Sequence, residues 1–344
     1  MLLSYFRKFS LLASLFIFFS VSSFAEGGAH EGHEAAEKEE KFDIGEMIMH
    51  HISDEHGWEF AHGVKLPLPV IVYTKNTGLK IFSSSKLEGG QNYEGFVNHH
   101  EHISFAADEA VHVWDFSITK NVASMMLSAL LLILVMTAVA KGFSKNKGKA
   151  PTGIQSAMEP IIGFIRDEVV KPNIGPTYEK YLPYMLTLFF FILFNNLLGL
   201  LPGGANVTGN IAITVVLSLI TFFITNLGAN KNYWKHLVAP TGVPVALLPI
   251  MVPVEIVGLI MKPASLTIRL FANITAGHII LLSLFGLIFM FKSFAVAPVV
   301  SGFALFMNVI ELVVAFLQAF IFTLLSSMYI GSSIEEHSHA DHGH

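Results

Sequence analysis

Arg269 lies in the apolar stretch KPASLTIRLFANITAGHIILL. A guanidinium in hydrocarbon is costly, and residues of this kind are rare and usually functional. Arg does not usefully lose its proton, so it supplies a fixed positive charge. On a helix of about 100° per residue, Glu255 falls about 40° from Arg269, Lys262 about 20°, Ser265 about 40° on the other side and Asn273 about 40°. One apolar helix therefore carries a narrow polar stripe. That stripe suits water, ions or a charged partner better than lipid.

A second set stands further along. Glu311 and Gln318 are seven residues apart and share a helix face, with Asn308 about 60° away from Glu311. A carboxylate in such a segment needs a partner, and His278 is the candidate. It lies about 180° round from Arg269 and ~13.5 Å along the axis, too far to serve the same group. His278 with Glu311 is a reasonable proton relay. Asn273, Gln318 and Ser265 can hold water but do not titrate. Intramembrane Asn195, Asn196, Asn226 and Asn308 read more simply as bonds to neighbouring helices. Glu255 and Lys262 read either as channel groups or as side chains reaching a membrane surface.

These residues need long apolar elements to hold them. The chain has 344 residues, 53% hydrophobic and 14% charged, the profile of a polytopic membrane protein. No charge occurs between Tyr181 and Asn230. Cysteine is absent, which excludes disulfides, thiol catalysis and Cys-based metal sites. The net charge of −5 gives no reason to expect nucleic acid. No P-loop motif is present for binding nucleotide phosphates.

Residues 1–25 have the form of a secretory signal: Arg7 and Lys8, an apolar core over Leu11–Val21, and Ser23-Phe24-Ala25 as a cleavage site. The chain from Glu26 onward should then emerge outside the cytoplasm. Glu26–Glu40 reads as disordered. Within residues 26–115, a His-rich extracytoplasmic region, Val64–Tyr73 and Gly78–Ser84 have strand composition, with turn residues Lys75 to Gly78 between them. Spans are expected near 122–140, 182–201, 211–227, 247–291 and 295–330. An amphipathic helix over about 154–170 should lie on the membrane surface or pack against neighbours. Lys141, Lys145, Lys147 and Lys149 mark the first cytoplasmic side, as do Lys231 and Lys235 later. The last two segments are overlong for a perpendicular crossing, which suggests a slanted hairpin; Pro249, Pro253 and Pro263 are candidate breaks. The membrane domain is expected over 116–331. Five spans then put the His-rich tail, 332–344, inside. The fold class is an all-α polytopic membrane protein with a small β-hairpin region before it.

KPASLTIRLFANITAGH, then ELVVAFLQAFIFTLLSSMYIGSSIEEH, closely resembles the ATP synthase subunit a family, the ion-channel subunit of the F-type membrane sector. FFILFNNLLGLLPGGANVTGNIAITVVLSL is similar to its middle spans. The resemblance covers about Lys141 to His337. It implies two long tilted helices wrapping a ring of c subunits, with a peripheral stalk of subunit b, in the bacterial inner membrane. Arg269 matches the essential arginine facing the ring carboxylate. Asn273 and Gln318 match polar channel residues. Glu255 and Lys262 match the motif upstream of the arginine, on the side assigned to the cytoplasmic half-channel, near which Ser265 also falls. His278 and Glu311 match the outer pair, in swapped order relative to some members. Gly199 stands where some members carry an acid. The resemblance implies proton translocation with no cofactor and no catalysis of its own, the proton being the default ion.

Two rival classes can be set against the residues. A metal-ion transporter would explain HEGHEAAEKEE and HSHADHGH, but it should place His and Asp ligands in its spans. No Asp occurs between Asp167 and Asp341. A respiratory-chain anchor would predict axial His pairs, and the expected spans hold His278 alone. The His-rich ends then read as solvated tails or weak metal binders.

Overall fold

The computed structural model describes residues 45, 53–61, 64–75, 77–99, 102–106, 111–201, 203–238, 244–291 and 297–334. The expected signal segment, the Glu26–Glu40 stretch and most of the His-rich tail lie outside them. Chain contacts divide into two units: Met1–Ser128 with Asn195–Val207 and Thr275–Val313, and Ala129–Phe194 with Thr208–Ile274 and Val314–His344.

The first unit contains the strands. β1 (Gly57–Ala61) pairs antiparallel with β2 (Val64–Pro67). β3 (Pro69–Thr74) pairs with β4 (Gly78–Ser83) and with β7 (Trp114–Asp115), and β5 (Phe96–His99) pairs with β6 (His102–Phe105). The hairpin expected across Lys75 to Gly78 is therefore present. The single strand expected over Val64–Tyr73 is two, because Leu68 between them closes a different bond: its N–H donates to Ser84 Oγ at 3.1 Å. The core is Val70, Val72, Phe82, Leu87, Phe96 and Ile103. Val70 and Val72 alternate with outward residues, as the period of a strand requires.

The first helix, α1 (Lys120–Lys145), starts inside this unit. Its first turn leaves N–H groups unpaired by the helix. Asp54 satisfies one, accepting from the Asn121 N–H at 3.0 Å, and also accepts from the Thr119 hydroxyl at 2.9 Å. The carboxylate also suits the positive end of the helix dipole. Trp58 Nε1 donates to the Gly203 carbonyl at 2.7 Å, fixing the loop after Leu201. His56 Nε2 meets Asp115 Oδ2 at 3.0 Å. Burial raises the Asp115 pKa, but hydrogen bonds from His56 and Ser117 outweigh it and hold the carboxyl below its ordinary 3.8.

The other helices are α2 (Ile154–Phe164), α3 (Tyr178–Gly199), α4 (Ile211–Leu227), α5 (Lys231–Val238), α6 (Leu248–Phe291) and α7 (Ala297–Ile334). Among the described residues four helical stretches are long and apolar enough to cross a membrane, or five when α4 and α5, bent by 101°, count as one. The protein is thus mostly helical, with four or five candidate spans and a small β-containing region. α1, α3, α6 and α7 each contribute to both units.

Three details refine the sequence-based expectation. α2 runs on through a π-helical turn, Ile165–Val170, and buries Gln155, Ile165, Val169 and Val170 against protein. A short helix, α5, occupies the Lys231 loop. Pro253 and Pro263 lie inside α6 without ending it. A membrane helix tolerates proline because neighbouring groups satisfy the freed carbonyls.

In the second unit, α4 buries Thr214, Ser218, Thr221 and Thr225 and exposes its large apolar residues. Ser218 Oγ and Thr267 Oγ1 are 2.7 Å apart, as are Tyr184 OH and Thr221 Oγ1. Small hydroxyl residues let helices approach closely where lipid supplies no hydrophobic drive between them. Asn230 closes the end of α7: its N–H donates to the Ser333 carbonyl at 2.9 Å and its side chain to the Ile334 carbonyl at 2.6 Å.

Candidate functional site

α6 carries Glu255, Lys262, Ser265, Arg269, Asn273 and His278, and α7 carries Glu311 and Gln318. The structure separates the polar stripe of α6 into two kinds of environment. Arg269 and Asn273 are exposed, with Ala272 and Ala276 beside them, while Glu255, Lys262 and Ser265 are half-buried. Within its own unit, no described carboxylate comes within ion-pair distance of Arg269. A guanidinium therefore stands on an outward face of an otherwise apolar helix, flanked by alanines that leave room for a close neighbour. Ile250, Val254, Val257, Ile260 and Ile268 of the same helix are exposed as well, so its apolar surface here is open to a partner or to lipid.

Lys262 turns inward instead. Its ammonium lies 5.8 Å from the Tyr233 ring centroid and 5.4 Å from that of Tyr329, within cation–π range. It borders a narrow cleft shared with Ser218, Thr221, Thr225 and Asn226. Ideal helical angles place Lys262 beside Arg269. The difference lies in the side chain: four flexible methylenes carry the charge away from its Cα direction. Tyr233 reads in sequence only as an interface aromatic of the Lys231 loop; its place beside Lys262, Tyr329 and the hydroxyl line of α4 escaped the sequence reading. Thr214, Ser218, Thr221 and Thr225 recur at four, three and four residues, so the helical period was present in the sequence.

In the first unit, Glu311 is buried at 7% exposure, and neither of its oxygens has a hydrogen-bond partner among the described residues. Its carboxyl sits against the backbone of α6 at Gly277: a Cβ placed there would be 2.6 Å from Glu311 Oε1. The residue next to that contact is His278, which is half-buried. Only glycine leaves the space that brings the carboxyl to this point on α6. Gln318 is buried on the face of α7 that also buries Ala315, Ala319, Phe322 and Thr323.

The asparagines read as interhelical bonds behave differently where described bonds exist. Asn226 Nδ2 donates to the Phe222 carbonyl and Asn308 Nδ2 to the Ala304 carbonyl, each within its own helix. A carbonyl four residues back is the nearest acceptor for a short amide on a helix. Among the described residues no group of three His, Asp or Glu is placed to hold a metal ion.

Residues 122–331 match the family model described as ATP synthase A chain. Residues 47–123 match a second model, described only as a domain of unknown function (DUF8433). The chain is 43% identical over 326 residues to ATP synthase subunit a of Chlorobium phaeobacteroides (strain BS1), covering 93% of this chain and 82% of that one. It is 42% identical to ATP synthase subunit a 2 of Chlorobaculum tepidum, over 94% of this chain and 81% of that one. Against ATP synthase subunit a of Myxococcus xanthus the identity is 43%, over 75% and 86%. The likeness thus extends well before Lys141 into the N-terminal region, which the sequence motifs alone left outside it. With its match spanning the membrane helices, Arg269 and Glu311 among them, the chain belongs to the ATP synthase A chain family.

Proposed function

We propose that this chain is the ion-channel stator of an F-type ATP synthase, passing protons through two half-channels to and from carboxylates on a rotating c ring. The observation that carries this reading is Arg269, a fixed cation on an exposed face of α6 with no described carboxylate partner in its own unit. Lipid is a poor neighbour for such a charge. A passing carboxylate on a partner subunit is a good one.

Electrostatics orders the steps. A proton enters near His278, Glu311 and Gln318 and neutralises a ring carboxylate. The neutral site turns into lipid, where a charged one is disfavoured. After most of a turn it meets Arg269, whose charge lowers the carboxylate's pKa and favours release. The proton leaves past Asn273 toward Ser265, Lys262 and Glu255, which form the cytoplasmic side. The Arg269 charge also opposes direct passage of a cation between the half-channels. Each elementary charge moved gains ~2.3 kcal/mol per 100 mV, and this drives the ring. The burial of Glu311 supports the outer half of the path: an unpartnered buried carboxylate is disfavoured unless it exchanges a proton or meets water.

In this reading the chain is non-catalytic, needs no cofactor, and contacts the c ring, the subunit b stalk and the bilayer, but not nucleic acid. It sits in a bacterial inner membrane with the signal segment removed, the β-containing region outside and the C-terminal tail inside. ATP-driven proton pumping by the purified complex in liposomes tests it, with Arg269→Ala against wild type. Loss of the pH gradient with ATP hydrolysis and assembly intact is the expected result. Undiminished pumping would make the arginine structural and the stator reading wrong.

A further inference from the structure

The sheet β4–β3–β7 carries apolar side chains on both faces. Its inner face holds Val70, Val72 and Phe82 in the core. On the outer face the register sets Leu79 opposite Tyr73 and Tyr73 opposite Trp114. One step along, Ile81 is opposite Ile71, and the Phe116 N–H donates to the Ile71 carbonyl at 2.8 Å. The result is two adjoining rows of three apolar residues. Leu79, Ile81, Trp114 and Phe116 are 59%, 65%, 51% and 62% exposed, so the rows form a continuous uncovered patch. An antiparallel sheet with one wet face alternates apolar inward with polar outward. This one does not, and an exposed patch of this kind marks an interaction surface.

The chain path bears on what covers it. Lys120, the first residue of α1, comes four positions after Phe116, so the patch is tethered within about 14 Å of that helix start. Asp54 and Glu55 hold the junction: the Lys120 N–H donates to the Glu55 carbonyl at 2.8 Å, beside the Asp54 cap. Ten residues beyond Phe116, Met126 and Leu127 on the apolar flank of α1, a candidate span, are already 58% and 45% exposed. The patch is thus continuous in sequence with the exposed apolar flank of a candidate span. Its composition, Trp, Tyr and Phe among Leu and Ile, is that of a membrane–water boundary.

We propose that the outer face of β4–β3–β7 lies on the membrane surface beside α1, with Trp114 and Phe116 at headgroup level. The small region before α1 is then monotopic on the bilayer, resting on lipid by buried apolar area.

The full chain reconstituted into phosphatidylcholine vesicles tests this. Trp58 and Trp234 are the other tryptophans. A Trp234→Phe background removes the one on α5, and comparison with Trp234→Phe/Trp114→Phe isolates the Trp114 emission. Lipid brominated high on the acyl chain should at least halve that emission, while acrylamide in the water quenches it weakly. Adding Leu79→Asp and Ile81→Asp, both on the open face, should restore emission in brominated lipid and shift it to the red. Strong acrylamide quenching with no effect of bromine would mean a solvated face and end the proposal. Shielding from both quenchers would mean a protein cover, such as a second copy, and would also overturn it.

Discussion

Around β3 the packed cluster is apolar, with Val70, Val72, Phe82 and Phe96, and charged groups stand at the edges in pairs such as Lys80 with Glu94. Along α4 the buried side chains are Thr214, Ser218, Thr221 and Thr225, and the exposed ones are Ile211, Val216, Ile220 and Phe223. The two regions bury opposite chemistry. Water drives the first arrangement by expelling apolar surface. In hydrocarbon that drive is absent between helices, so close contact and hydrogen bonds between hydroxyls hold the second together. The outer face of β4–β3–β7 fits neither pattern, which is why it invites a lipid boundary and not plain water.

The comparison breaks first where burial matters most. Phe96→Ala removes the ring at the centre of the β core, which touches Phe82 and Phe105 at centroid distances of 6.1 and 5.5 Å. The expected cost is about 3–5 kcal/mol. Hydrogen exchange should show faster amide exchange in β3 and β5 with α4 unchanged; unchanged β amides would mean the core does not hold the region.

The membrane side should respond more gently. A double-mutant cycle of Tyr184→Phe and Thr221→Val, read by detergent unfolding in mixed micelles, should give a coupling of about 0.6 kcal/mol, and at most about 1.7. A larger value would mean that buried hydroxyls here act as strongly as an apolar core. No coupling would reduce the 2.7 Å contact to proximity.

The smallest effect belongs to Asp115, half-open to solvent and therefore screened. Its pKa is depressed in the folded state by the His56 and Ser117 hydrogen bonds, against the opposing effect of burial. It therefore contributes stability that is present above the unfolded value and lost as pH falls through the folded one. Wild type should unfold later than Asp115→Asn at neutral pH, and the gap should close as pH drops below 3.8. A gap that stays constant on acidification would remove the ionised pair from the account.

Much of the helical fold was legible because hydrophobic runs of spanning length leave few alternatives. The reach of α6 through Pro253 and Pro263 was not. Proline's local cost is readable in sequence, whereas the groups that satisfy the freed carbonyls belong to tertiary structure. Of the candidate site, Arg269 and Glu311 stood out because charge in an apolar run is expensive. Their different surroundings, one exposed and one buried against Gly277, did not, since helical angle says which residues share a face but not what that face meets. The inward turn of Lys262 toward Tyr233 and Tyr329 joins residues far apart in sequence, beyond the reach of periodicity.

The bond from Trp58 to Gly203 also sets a timetable. The two residues are 145 positions apart. At about 5–20 residues per second, roughly 7–30 s pass between their emergence from the ribosome. The Asp54 cap on α1 spans only 67 positions and can close much sooner. The Trp58 bond therefore cannot close until the chain through Gly203 has been made, so the β-containing region completes its own contacts only after α3 has been synthesised.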